Sequence, residues 1–123
     1  MNRLNIIFAV LFILSCSCNK QIDKDALTFE IESFSRLKIN PNSIDSISYK
    51  YDIAYRDDVV TYVIYMSDSS LRELFLESQK IDDFEFYSHM DSLSSFSKNE
   101  GNCLRQVNIN LTKKWVVYGV GCH

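Results

Sequence analysis

Two alternating segments near the end of the chain, CLRQVNINL and WVVYGVGC, restrict the fold more than any other feature. They are separated by the short polar stretch 112–114, and a turn at residues 112–113 predicts an antiparallel hairpin. One register gathers the large apolar side chains on a single face, because side chains alternate between faces along a strand. That register pairs Ile109 with Val116, Val107 with Tyr118, Arg105 with Val120 and Cys103 with Cys122.

The same register brings two cysteines face to face. Directly opposed strand residues lie about 4.5 to 5.5 Å apart at their Cα atoms, which is inside the range of a disulfide. We therefore predict a structural disulfide between Cys103 and Cys122, which would contribute on the order of 3 kcal/mol to stability. A zinc site built from these cysteines with His89 and His123 is disfavoured, because adjacent residues of a strand point to opposite faces.

Residues 1–16 have the layout of a secretory signal peptide. Arg3 precedes nine uninterrupted apolar residues, 6–14, and these are followed by the small residue Ser15 and by Cys16. Nine residues are too few for a membrane-spanning helix, which needs about 20. An ordinary cleaved signal peptide, with cysteines at these positions by chance, is one explanation of this layout.

The stretch Ile13-Leu14-Ser15-Cys16 resembles the lipobox of bacterial lipoproteins. The resemblance implies cleavage after Ser15 and a diacylglycerol thioether on Cys16, with acyl chains such as palmitate. It also implies attachment to a membrane of the bacterial cell envelope. Cys18 offers a second, poorer register. The implied organisation is a lipoprotein signal peptide at 1–15, a lipidated tether at 16–24 and one domain at 25–123.

The length and charge of the chain limit the number of domains and the kind of partner that it can have. A chain of 123 residues supplies one modest core. It carries 13 basic and 16 acidic side chains without a basic cluster, so nucleic acid is disfavoured as a partner.

Periodicity outlines the first half of the domain. A helix is predicted from Asp25 to Asn40-Pro41, because apolar residues recur at helical spacing from Leu27 to Leu37. The alternating segment ISYKYDIAY and the apolar segment VVTYVIYM predict two strands with a turn at 56–58. If Arg56 faces Val59, the expected pairs are Ile53 with Tyr62, Tyr51 with Ile64, and Tyr49 with Met66.

The second half begins with another helix. Ser70 and Glu73 fit a capping box for a helix that extends to about Lys80. The segment FEFY, 84–87, is a short strand candidate, and 88–102 is expected to be a long loop. The expected fold class is α+β, with an antiparallel sheet of about five strands and two helices packed on one face.

No catalytic motif stands out, so we expect a non-catalytic protein without cofactor or metal. The predicted partner is another protein, to which the domain binds as an inhibitor, an immunity-type factor or an accessory subunit. Candidate partner-binding residues are Trp115, Asn108 and Asn110, which share a predicted sheet face, and His89 in the expected loop. The alternative for the sheet face is that a helix covers it or that it is simply solvated, because a single exposed tryptophan is a weak signal of a binding patch. The alternatives are an envelope hydrolase that uses the 88–102 loop and a lipoprotein that binds a small ligand between helix and sheet.

Overall fold

A computed structural model describes residues 22–54, 57–81 and 86–123. Within these ranges the chain forms an α+β fold, which confirms the expected class, and the sheet has six strands rather than about five. In chain order the elements are α1 (Lys24–Ser35), a 3-10 turn (Pro41–Ser43), β1 (Ile44–Ala54), β2 (Asp57–Met66), α2 (Asp68–Ser78), β3 (Phe86–His89), β4 (Leu93–Glu100), β5 (Cys103–Asn110) and β6 (Trp115–Cys122).

The six strands form one antiparallel sheet in the order β1-β2-β6-β5-β4-β3. Strands β3 to β6 follow one another as a meander, and β1 and β2 form a separate hairpin. Strand β6 joins the two groups, because it pairs with β5 on one side and with β2 on the other. The edges of the sheet are β1 and β3.

The predicted register of the β5–β6 hairpin is confirmed at every pair. Val107 lies opposite Tyr118, and Cys103 lies opposite Cys122. The two cysteines form the predicted disulfide, with their Cα atoms 4.1 Å apart.

The predicted register of the β1–β2 hairpin is wrong. Ile53 pairs with Asp58 instead of Tyr62, and Tyr49 pairs with Tyr62 instead of Met66. The cause is that β2 begins at Asp57, so both aspartates expected in the turn belong to the strand. The hydroxyl of Tyr51 donates a hydrogen bond to Asp58 Oδ1 at 2.7 Å, which favours this placement. The observed register differs from the predicted one by an even number of residues, so the side chains predicted to share one face of the hairpin still do so.

The prediction of a long loop at 88–102 is also wrong. This stretch contains the end of β3, all of β4 and the turn before β5. Strand β4 was not predicted, because only one of its two buried core positions is apolar. These positions are Phe96 and Ser94. The hydroxyl of Ser94 is satisfied by His89 at 2.8 Å, so a serine is tolerated in the core. Of the strand candidate 84–87, residues 84 and 85 lie outside the described ranges.

Both helices begin or end differently from the prediction. The carboxylate of Asp23 caps α1 by accepting from two main-chain amides. Helix α1 ends at Ser35, since Arg36 adopts a left-handed conformation with φ of 65°, well before the expected end at Asn40. The cap of α2 is Ser67 rather than Ser70, so this helix begins about one turn earlier.

The hydrophobic core combines one stripe from each helix with alternate residues of the central strands. The Phe34 ring of α1 lies 6.3 Å from the ring of Tyr118, and α2 contacts β4 and β5. The buried apolar residues are Leu27, Ile31, Phe34, Leu37, Ile39, Ile44, Ile64, Met66, Leu71, Leu74, Phe75, Phe96, Val107, Ile109, Val116 and Tyr118.

A polar cluster fixes α1 to the sheet beside this core. The buried Tyr118 donates its hydroxyl to Glu30 Oε1 at 2.9 Å. Arg105 Nη1 donates to the same Glu30 oxygen at 3.2 Å and to the Tyr118 oxygen at 3.0 Å. Arg105 Nε lies 3.1 Å from Glu100 Oε2, an ion-pair contact without the alignment of a hydrogen bond. Burial and the bond to Glu30 hold the pKa of Tyr118 well above its usual value, so it remains a donor.

Replacing both disulfide cysteines by serine should lower the free energy of unfolding by about 3 kcal/mol, because the unfolded chain regains the freedom that the closed loop removes. Urea denaturation of the wild type and of the Cys103→Ser/Cys122→Ser variant measures the loss. In the presence of a reductant the two proteins should unfold at similar urea concentrations. A difference that persists after reduction would assign the loss to packing of the sulfur atoms instead.

Candidate functional site

The sheet has a second face, opposite the core, which we call the open face. None of its residues belongs to the buried core of the described chain. The register places Trp115, Asn108 and Asn110 on it together, with Asn110 directly opposite Trp115. Its central residues are Val59, Thr61, Val63 and Tyr65 of β2, Trp115, Val117, Gly119 and Gly121 of β6, and Leu104, Gln106, Asn108 and Asn110 of β5.

An aromatic pair lies at one end of the open face. Trp115 pairs with Tyr65 of β2, and their rings meet edge to face at 6.2 Å. Tyr65 is 38% exposed, and Trp115 is partly exposed. Aromatic residues with a polar group are enriched in the centres of protein interfaces, since they bury a large area at a low entropic cost.

Amide side chains follow the aromatic pair along β5. Asn108 accepts a hydrogen bond from the hydroxyl of Ser95 on β4. Asn110 accepts from the main-chain amide of Lys113 at 2.9 Å, so it also stabilises the β5–β6 turn. These bonds hold both amides in defined orientations.

Two glycines of β6 line a groove on this face, which extends from Asp57 and His123 at the disulfide end of the sheet to Asn108 and Val117. The groove has a volume of about 470 Å³, and its lining includes Val59, Thr61, Leu104, Gln106, Gly119 and Gly121. Neither β6 glycine has a positive φ, and a Cβ atom added at either position would meet no atom closer than 3.8 Å. The fold therefore does not require glycine there. Glycine within a strand often marks a place where another molecule comes close to the backbone.

His89 is separated from the other three candidate residues. It pairs with Ser94, whose side chain belongs to the core side of the sheet. Its Nε2 donates to the carbonyl oxygen of Ile81 at 2.9 Å, so in the neutral ring Nδ1 accepts from Ser94 at 2.8 Å. Its ring also packs edge to face on Phe96 at 5.3 Å. These contacts give His89 a structural role, and the loop expected around it is a hairpin.

Sequence reasoning missed the β2 half of the open face. Tyr65 and Thr61 join the site only through pairing of β2 with β6, which no local pattern specifies. The sequence did contain an indication of the groove, since Gly119 and Gly121 occupy alternate positions within an otherwise apolar strand.

Two further observations concern metal and membrane. Among residues 22–54, 57–81 and 86–123, no group of three or more His, Cys, Asp or Glu side chains is arranged to hold a metal ion. Cys103 and Cys122 are joined to each other, and His123 Nδ1 lies 3.7 Å from Asp57 Oδ1. No helix in the described ranges has the length and apolar character to cross a membrane.

Alanine at Gly119 or Gly121 should leave the free energy of unfolding unchanged or raise it by up to about 1 kcal/mol, because alanine restricts the unfolded chain and its methyl group fits. Thermal and urea denaturation of the single variants and of the double variant measure this. Gly101→Ala is the matched control, and it should destabilise, since Gly101 has a φ of 62°. A comparable loss at Gly119 would mean that the fold itself requires this glycine.

Comparison of the chain with protein-family models, curated proteins and solved structures found no match. The function proposed below is argued from the residues and contacts described above.

Proposed function

We propose that this protein is a non-catalytic lipoprotein of the bacterial cell envelope whose domain binds another protein through the open face. The lipid is attached at Cys16, which lies outside the described residues. The partner relation is that of an inhibitor, an immunity-type factor or an accessory subunit. The observation that carries the proposal is the Trp115–Tyr65 pair, which shares the open face with a groove lined by two glycines.

The proposal includes an arrangement in which both helices cover the face opposite the open face. Three contacts support it. Phe34 of α1 packs on Tyr118, Glu30 of α1 accepts from the same tyrosine, and α2 contacts β4 and β5. The apolar stripes of both helices belong to the same buried cluster as Val107 and Val116. With both helices on that side, the open face remains available to a partner.

The composition of the open face suits a protein partner. Valines and the Trp115–Tyr65 pair supply apolar area, and Thr61, Gln106 and Asn108 supply hydrogen-bonding groups without charge. The carboxylate of Asp57 lies at the outer end of the groove, beside His123. Interface centres are depleted in charged residues and enriched in aromatic ones. Protein docking on this face would bury the groove together with the aromatic pair beside it.

A small ligand between helix and sheet is a second candidate, favoured by a cleft between α1 and the β1–β2 hairpin. The cleft has a volume of about 250 Å³ and is lined by Ile22, Asp23, Ala26, Glu30, Tyr49 and Tyr62, among others. Sites for small molecules are commonly about 300 to 1,000 Å³. The cleft falls below this range, so the open face is the better-supported site.

Cys16→Ala should abolish lipid labelling and weaken attachment to the membrane, because the acyl chains supply most of the apolar area that enters the bilayer. Metabolic labelling with palmitate, followed by fractionation, measures both effects. Cys18→Ala is the matched control and should remain labelled. Labelling that depends on Cys18 instead would assign the lipid to Cys18. Absence of label on the wild-type protein would refute the anchor.

The double variant Trp115→Ala/Asn108→Ala should lose a stoichiometric partner that the wild type retains, because it removes the aromatic anchor and an oriented amide from the open face. Co-purification from detergent-solubilised membranes compares the two proteins. Tyr87→Ala is the control, since Tyr87 is 50% exposed and lies on the other face. Equal recovery of the partner with the double variant and with the wild type would contradict binding through the open face.

A further inference from the structure

Strand β1 carries a row of large, partly exposed side chains on the helix-bearing side of the sheet. We call Tyr49, Tyr51 and Ile53 the tyrosine stripe; they occupy alternate positions and therefore share one face. Ile44, at the start of the strand, is 4% exposed, but exposure rises to 43% at Tyr49, 51% at Tyr51 and 69% at Ile53. The stripe thus continues the core face of the sheet into solvent.

This exposure is concentrated on an edge strand. Neighbouring large apolar side chains on an edge are a hazard unless something covers them, since they favour association. The charges of β1 do not protect the stripe, because Lys50 and Asp52 occupy the alternate positions and pair with each other at 3.1 Å. On the stripe side, β1 itself therefore carries no charge from Tyr49 to Ile53, and the nearest carboxylate is that of Asp58 on β2, directly opposite Ile53.

The path of the chain indicates what covers the stripe. Ile22 lines the same cleft as Tyr49 and Tyr62, so the tether enters the domain beside the start of the stripe. Five residues, 17–21, separate Ile22 from Cys16. A chain of this length reaches at most about 20 Å when fully extended. A lipid on Cys16 would hold the membrane surface within that distance of Ile22.

The chemistry of the stripe matches this surface. Tyrosine is enriched where a membrane meets water, because its ring is apolar and its hydroxyl remains hydrated. Tyr51 keeps a polar partner, since its hydroxyl donates to Asp58. Asp23, Glu30 and Asp58 lie on or beside this side of the domain, so a zwitterionic membrane surface fits better than a strongly anionic one.

We propose that the tyrosine stripe is a second membrane contact, which lies in the interfacial region of a zwitterionic bilayer and orients the domain so that the open face points away from the membrane. The inference rests on the proposed lipid anchor. It adds that the domain has a fixed side toward the lipid, which an anchor alone does not give.

Depth-sensitive fluorescence quenching of the full lipidated protein tests this orientation. The protein is reconstituted into phosphatidylcholine vesicles that carry spin-labelled phosphatidylcholine, and emission is read from the floated, vesicle-bound fraction only. One variant carries Tyr51→Trp in a Trp115→Phe background, and its matched control carries Tyr65→Trp in the same background. Tyr65 is partly exposed on the open face, so the two probes report opposite sides. Circular dichroism verifies that both variants fold.

Tryptophan at position 51 should lose most of its emission to the spin-labelled lipid, while tryptophan at position 65 should lose little. Adding Ile53→Asp should reduce the loss at position 51, because a second carboxylate next to Asp58 replaces an apolar side chain and raises the cost of entering the interface. Equal quenching at both positions in vesicle-bound protein would overturn the orientation and leave the anchor intact. Absence of vesicle-bound protein would overturn both.

A protein interface at the stripe gives a different result. Tryptophan at position 51 would then be protected from the lipid quencher and from aqueous acrylamide alike, and cross-linking would show an oligomer. That outcome would also overturn the membrane contact.

Discussion

The pairing of β6 with β2 is the interaction on which the rest of the structure depends. Without it, the β1–β2 hairpin and the meander from β3 to β6 would be two separate sheets, each with an additional edge. The two strands are distant in sequence, so bringing them together costs chain entropy. Ile64, Val116 and Tyr118 offset this cost, since all three are fully buried where the two parts meet.

Two features reinforce this central strand. The disulfide fixes its last residue to the first residue of β5, and Tyr118 connects its middle to α1 through Glu30. Burial and the bond to Glu30 raise the pKa of Tyr118 well above its usual value, so the hydroxyl continues to donate to Glu30 in alkaline solution where an exposed tyrosine ionises. The guanidinium of Arg105 donates to both the Glu30 carboxylate and the Tyr118 hydroxyl oxygen. The negative charge of Glu30 is therefore paired where α1 meets the sheet.

The same sheet offers two surfaces of different character. The open face combines Trp115 and Tyr65 with amides and a groove over two glycines, which suits a protein partner. The tyrosine stripe lies on the other side, next to the place where the tether enters, which suits a membrane surface. Together the two proposals describe a domain that faces the lipid with one side and a partner with the other. The division follows from the side-chain alternation of strands, which sends neighbouring residues to opposite faces.

The accuracy of prediction depended on how local each feature is. The β1–β2 register was wrong because Asp57 and Asp58 resemble turn residues, and only pairing across the sheet shows that they belong to β2. Strand β4 was missed because Ser94 occupies a core position that His89 makes tolerable. By contrast, the β5–β6 register and its disulfide were predicted correctly, since both strands alternate clearly and the turn between them is short.

The sequence by itself determined the terminal hairpin, the cysteine pair and the shared face of Trp115, Asn108 and Asn110, because local alternation is enough to specify them. The tertiary structure decided that β6 is central, that Tyr65 completes the open face and that His89 lies apart from it. These features depend on contacts between distant segments. The energy of such contacts comes from burial and hydrogen bonding that no short stretch of sequence contains.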